Sequence, residues 1–145
     1  MSPVAESEEL RRFREAYERY IEIFNAGEFE RAFSGVSEDF ELHLPAGGPE
    51  RTVRGREATV RFFRELRATL DDWRIEASEF HQLGPEVFLV GLEASGTGHA
   101  SGVPTTTRTW EVDETEAGRV ARGRQFRDRE QALATAAGLV GNDAD

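Results

Sequence analysis

Apolar residues recur every three or four positions up to about residue 70 and every second position from Trp73 onward, so the chain opens helical and closes in strands. In Ser7–Gly27, Leu10, Phe13, Tyr17, Tyr20, Ile21 and Phe24 form one apolar stripe, while arginines and glutamates fill the opposite face. Ser7 reads as an N-cap, Glu8 and Glu9 suit the positive end of the helix dipole, and Asn25-Ala26-Gly27 reads as a stop. A second short helix is expected over Glu28–Gly35. Asp39–Leu44 alternates Phe40, Leu42 and Leu44 against Glu41 and His43, the pattern of a half-buried strand that Pro45 to Gly48 then breaks. Gly55 opens a third helix running to about Leu70, with Val60, Phe63, Leu66 and Leu70 on its apolar face.

Four strands follow. Trp73, Ile75 and Ala77 alternate with Arg74, Glu76 and Ser78; Glu86–Thr97 is mostly apolar, as a central strand should be. A glycine-rich loop over 96–102 leads to Thr105–Asp113, a turn over Glu114–Gly118, and a last strand over Arg119–Asp128. An alanine-rich helix over Arg129–Leu139 and a tail over Gly141–Asp145 complete the reading. With neither repeat nor linker, the 145 residues form a single domain, its ordered core spanning about 7–140. Helices first and an antiparallel meander afterwards give an α+β fold with helices packed on one sheet.

Composition removes several classes of function. There is no cysteine, hence no disulfide or thiol chemistry. A net charge of -10 disfavours nucleic acid and anionic membranes, no apolar run is long enough to span a bilayer, and the first nine residues lack a signal-peptide pattern, so a cytoplasmic location is expected. All 18 basic residues are arginine, which excludes lysine-based catalysis and otherwise reads as codon bias. His43, His81 and His99 fall on separate elements at no metal-ligand spacing, and neither a dinucleotide fingerprint nor a serine-hydrolase elbow is present. No cofactor or metal is expected.

The order of elements, together with Tyr20-x4-Asn25-Ala26-Gly27-Glu28, Asp39–Pro45, Gly55-Arg56-Glu57-Ala58, Gly102-Val103-Pro104 and Gly118-Arg119-Val120, resembles the nuclear transport factor 2-like superfamily. The likeness covers about Leu10 to Leu139 and points to the SnoaL-like polyketide cyclase and ketosteroid isomerase-like branch. It implies a cone-shaped, curved antiparallel sheet wrapped around the N-terminal helices, an internal cavity, and a homodimer. It also implies that Tyr20 stands where ketosteroid isomerases keep an oxyanion-hole tyrosine. The position of their aspartate base is Leu44, so that isomerisation is not expected.

With Trp110 in the place of the family's inward aromatic, strand alternation sends Arg108 inward too. Arg108, with Tyr20 and Gln125, would then receive an anionic group such as a carboxylate, and Phe24, Leu44, Phe63 and Trp110 would supply apolar lining. The alternative is an Arg108 turned outward by a bulge, or paired with Glu41, Glu93 or Asp128. Tyr20 reads equally as a packed core tyrosine. His43 follows the polar side of its strand, yet SnoaL-like sequences often place an acid–base histidine there. Asp128 is either a catalytic acid, as in cyclase-type relatives, or the cap of the final helix. Two functions are therefore expected: a small-molecule pocket protein, acting as isomerase, cyclase or hydratase on an apolar ligand with a polar or anionic end, or a non-catalytic ligand-binding or dimeric assembly domain.

Overall fold

The computed structural model describes residues 6–45 and 51–143. Helix α1 (Glu8–Asn25) starts where expected, with Ser7 Oγ accepting from the Leu10 amide at 3.0 Å. Its end is pinned as well as terminated. Asn25 donates to the Ile75 carbonyl at 3.0 Å and accepts from the Ile75 amide at 2.8 Å, tying α1 to the sheet. The short second helix is α2 (Phe29–Ala32), continued by a 3-10 turn over Phe33–Gly35, and α3 spans Arg56–Ala68. None of the described helices is long and apolar enough to cross a membrane.

The strands are β1 (Glu41–Leu44), β2 (Arg51–Arg54), β3 (Leu70–Gly84), β4 (Val87–Gly98), β5 (Pro104–Glu116) and β6 (Arg119–Phe126). They form one sheet in the order β2-β1-β6-β5-β4-β3. This corrects two expectations. Strand β2 has no counterpart in the sequence reading, and the sheet is mixed, because β1 runs parallel to β6 with Leu42 opposite Gly123. The expected break at residues 46–48 lies outside the described residues. Between β5 and β6 a two-residue turn, Ala117-Gly118, has φ of 51° and 79°, the positive pair that matches the twist of a hairpin.

Both faces of the sheet are covered. On the inner face, α1, α2 and α3 bury an aromatic cluster in which Phe24 lies 5.0 Å from Phe29, 5.1 Å from Phe63 and 5.2 Å from Trp73. On the outer face, α4 (Arg129–Asp143) lays the fully buried Ala132 and Ala136 against Val87, Leu89 and Val112. Helix α4 thus runs beyond the expected Leu139. Residues Val87–Leu92 of β4 are consequently buried on both sides, which accounts for their unbroken apolar run.

Candidate functional site

A cavity of about 980 Å3 opens between the N-terminal helices and the inner face of the sheet. Its polar wall comes from alternate residues of β5: Thr105, Thr107, Thr109, Glu111, Asp113 and Thr115 all line it. Burial rises along that row from exposed Thr105 and Thr107 through half-buried Thr109 to Glu111 and Asp113, which are 8% and 1% exposed, and falls again at half-buried Thr115. The most buried stretch of that wall therefore carries two carboxyl groups, two positions apart on one strand.

The two acids differ in their partners. Glu111 accepts from the Tyr17 hydroxyl at 3.2 Å and from the Gln125 amide at 2.9 Å. Asp113 has no partner but Glu111 itself: no other group among the described residues bonds its oxygens. Both carboxyl groups lean over Gly123 on β6, where a Cβ would meet Asp113 Oδ1 at 3.1 Å and Glu111 Oε2 at 3.5 Å. The glycine leaves the space that the acids occupy. Burial, and then the neighbouring Glu111, push the Asp113 carboxyl well above the usual carboxylate range. Asp113 is thus the member of the pair that keeps a proton, since two like charges this close and this buried are not both tolerated. Burial and then the charge of Glu111 likewise raise the Tyr17 and Tyr20 hydroxyls, so both remain phenols that can donate. The Tyr20 ring, packed edge-on against Tyr17 at 5.2 Å and Phe33 at 5.4 Å, also faces the cavity.

Among the residues singled out from sequence, Tyr20, Gln125, Phe24, Leu44 and Phe63 all line the cavity. The other four lie elsewhere. Arg108 is on the outer face, where its Nε donates to Glu93 at 3.2 Å and its side chain is 74% exposed. Trp110 is also outward, packed with Val87, Val112 and Ala132 beneath α4. The alternation along β5 was read with its phase reversed. Apolar residues lie on both of its faces, so an aromatic gives no sign of which face holds the cavity. With Arg108 outside, the expected seat for an anionic group is not there. His43 projects from β1 away from the cavity, its Nδ1 3.2 Å from Thr52 Oγ1. Asp128 caps α4, accepting from the Glu130 amide at 2.8 Å.

The sequence reading missed Glu111, Asp113 and the bonding role of Tyr17. A signal was available: β5 lies between β4 and β6 in the interior of the sheet, and an interior strand carrying Glu-x-Asp places acids where solvent is scarce. Among the described residues no cluster of three or more His, Asp and Glu is arranged to hold a metal ion.

A mixed, curved sheet enclosing a cavity behind three helices defines a ketosteroid isomerase-like, nuclear transport factor 2-like architecture, and solved structures agree. A protein provisionally assigned as a SnoaL-like polyketide cyclase from Jannaschia sp. CCS1 superposes with a TM-score of 0.72 at 14% identity, covering 93% of this chain and 97% of its own. A ketosteroid isomerase-like protein from Catenulispora acidiphila, solved with trimethylamine, gives 0.69 at 11% identity, covering 84% and 92%. An NTF2-like protein of unknown function from Burkholderia pseudomallei gives 0.68 at 19%, covering 83% and 94%. These similarities establish the fold. The SnoaL-like domain family profile matches residues 17–126, and the chain belongs to that family. A comparison with curated proteins gives no match.

Proposed function

We propose that this protein transforms a small apolar molecule with a polar end, using Glu111 and Asp113 as a coupled acid–base pair. The observation that carries the reading is the buried Asp113, partnered by Glu111 alone, in the most buried stretch of the wall of an open cavity. Asp113 holds a proton that it can donate to the ligand's polar atom, and Glu111 accepts one in return. Tyr17 and Gln125 orient Glu111 through their two hydrogen bonds to it. Tyr20 offers a second phenol to the same space. The apolar lining from Phe24, Phe63, Trp73 and Leu44 accepts the ligand's body. The Catenulispora protein of the same fold was solved in complex with trimethylamine, which supports a small organic molecule as the ligand.

The test is proton exchange. A panel of apolar ketones, with and without an amino group, is incubated with the protein in D2O and analysed for deuterium next to the carbonyl. Incorporation that disappears in Glu111→Gln supports the pair as acid–base machinery. Ligand binding without exchange by any member of the panel would instead favour a non-catalytic binding domain. That second reading draws on Leu44, which puts an apolar side chain where the isomerases have their base.

A further inference from the structure

Building on the pocket just proposed, we infer that its ligand carries a basic nitrogen: the cavity receives an apolar amine as its ammonium ion, seated at Glu111 and Asp113 and faced by aromatic rings. The argument is one of charge balance. The pair retains one proton between two carboxyl groups and so leaves one negative charge under cover. A buried charge needs a counter-charge as well as hydrogen bonds. Tyr17 and Gln125 supply hydrogen bonds to Glu111 and no charge.

Among the described residues, no arginine or histidine forms an ion pair with either acid. The basic residues on the neighbouring strand β6 turn the other way: Arg122 lies 3.1 Å from Glu41, and Arg124 lies 3.4 Å from Glu114. Four arginines line the cavity, Arg12, Arg19, Arg31 and Arg127, and all are exposed; Glu8 and Glu28 pair with Arg12 and Arg31, and Arg19 and Arg127 form no ion pair with Glu111 or Asp113 among the described residues. A metal ion would need more donors than the two acids offer. An anionic ligand would add to the negative charge, and a neutral one would leave it uncompensated. An ammonium ion cancels it.

The walls suit the same occupant. Tyr17 and Tyr20 stand edge to face beside the acids, with Phe33 against Tyr20, and aromatic faces attract organic cations once water is excluded. Protonated Asp113 keeps its carbonyl oxygen as an acceptor beside Glu111, with no other group of the described structure bonded to it.

The experiment uses three probes with one apolar body: 4-phenylbutylamine, 4-phenylbutanol and 4-phenylbutyrate. Binding to the whole chain is measured at pH 7 by calorimetry and by the fluorescence of Trp73, which lines the cavity. The expected order is amine, alcohol, carboxylate, with the amine at least about tenfold tighter than the alcohol. Glu111→Gln should shrink that preference to about threefold or less while leaving the alcohol's affinity within a factor of about three. Asp113→Asn, which keeps the shape of the protonated acid and leaves the Glu111 charge in place, should retain the amine preference, and Glu111→Ala serves as the test should Glu111→Gln not fold. An alcohol that binds as well as the amine, a carboxylate that binds best, or an amine preference untouched by loss of the Glu111 carboxylate would overturn the inference. Proton exchange on neutral ketones without any amine preference would overturn the amine and leave the acid–base pair standing. Binding of none of the three overturns both.

Discussion

Two acidic neighbourhoods on β5 and its neighbours invite comparison. On the outer face, Glu93 and Arg108 pair across β4 and β5 at 3.2 Å, with side chains 38% and 74% exposed. On the inner face, Glu111 and Asp113 are 8% and 1% exposed and form no ion pair among the described residues. The outer pair is screened by water and holds little energy. The inner pair carries a cost that an apolar or paired alternative would avoid. A charge that is paired in solvent reports on the surface, whereas an unpaired one under cover reports on something that visits. The two tryptophans divide the same way: Trp73 lines the cavity and Trp110 packs under α4.

The strongest way to probe the contrast is to damage the outer face without touching the cavity. Leu89 is fully buried against α4, and Leu89→Ala should destabilise the chain by about 2–5 kcal/mol in urea unfolding while a folded fraction still binds ligand. An equal loss of binding in the folded fraction would break the separation of faces.

The inner acid should behave in the opposite sense. Asp113 is raised in the folded state, so its contribution is most favourable at acid pH and is lost as pH climbs towards its folded value. Each pH unit above the ordinary carboxylate range costs the folded chain up to about 1.4 kcal/mol until Asp113 ionises. Asp113→Asn should therefore melt like the parent near pH 4 and several degrees above it near pH 8. A Tm difference that is flat with pH would remove the case for a strained acid.

Asp128→Ala should cost about 1 kcal/mol through the lost cap of α4, with exchange activity unchanged. A large loss of activity at unchanged stability would restore Asp128 to the site.

Arg108→Ala is the smallest effect, within about 0.5 kcal/mol and without consequence for any ligand. Loss of carboxylate binding in that variant would reverse the assignment of faces.

Much of the architecture was legible in the chain. The stripe on α1 marked a helix that must cover a sheet, and Ser7 fixed its start. Strand alternation located β1, and β3 to β6 to within a few residues at most ends; β3 ran further than its alternation suggested. Strand β2 escaped because Arg51–Arg54 is too short and too polar to announce itself; it is a strand through pairing with β1. The site was only half legible. Tyr20, Phe24 and Phe63 fall on helices with one apolar face, and that face can point only inward.

What the sequence determined by itself is the period of each element and the fold that such periods allow. It determined that residues 108, 110 and 112 share one face of β5 and that residues 109, 111 and 113 share the other. Which of those faces looks into the cavity was decided only when α4 folded across the outside of the sheet and buried Val112 there. An alternating strand covered on both sides has no hydrophobic signature of inside and outside, so local pattern fixes its repeat and only long-range packing fixes its phase.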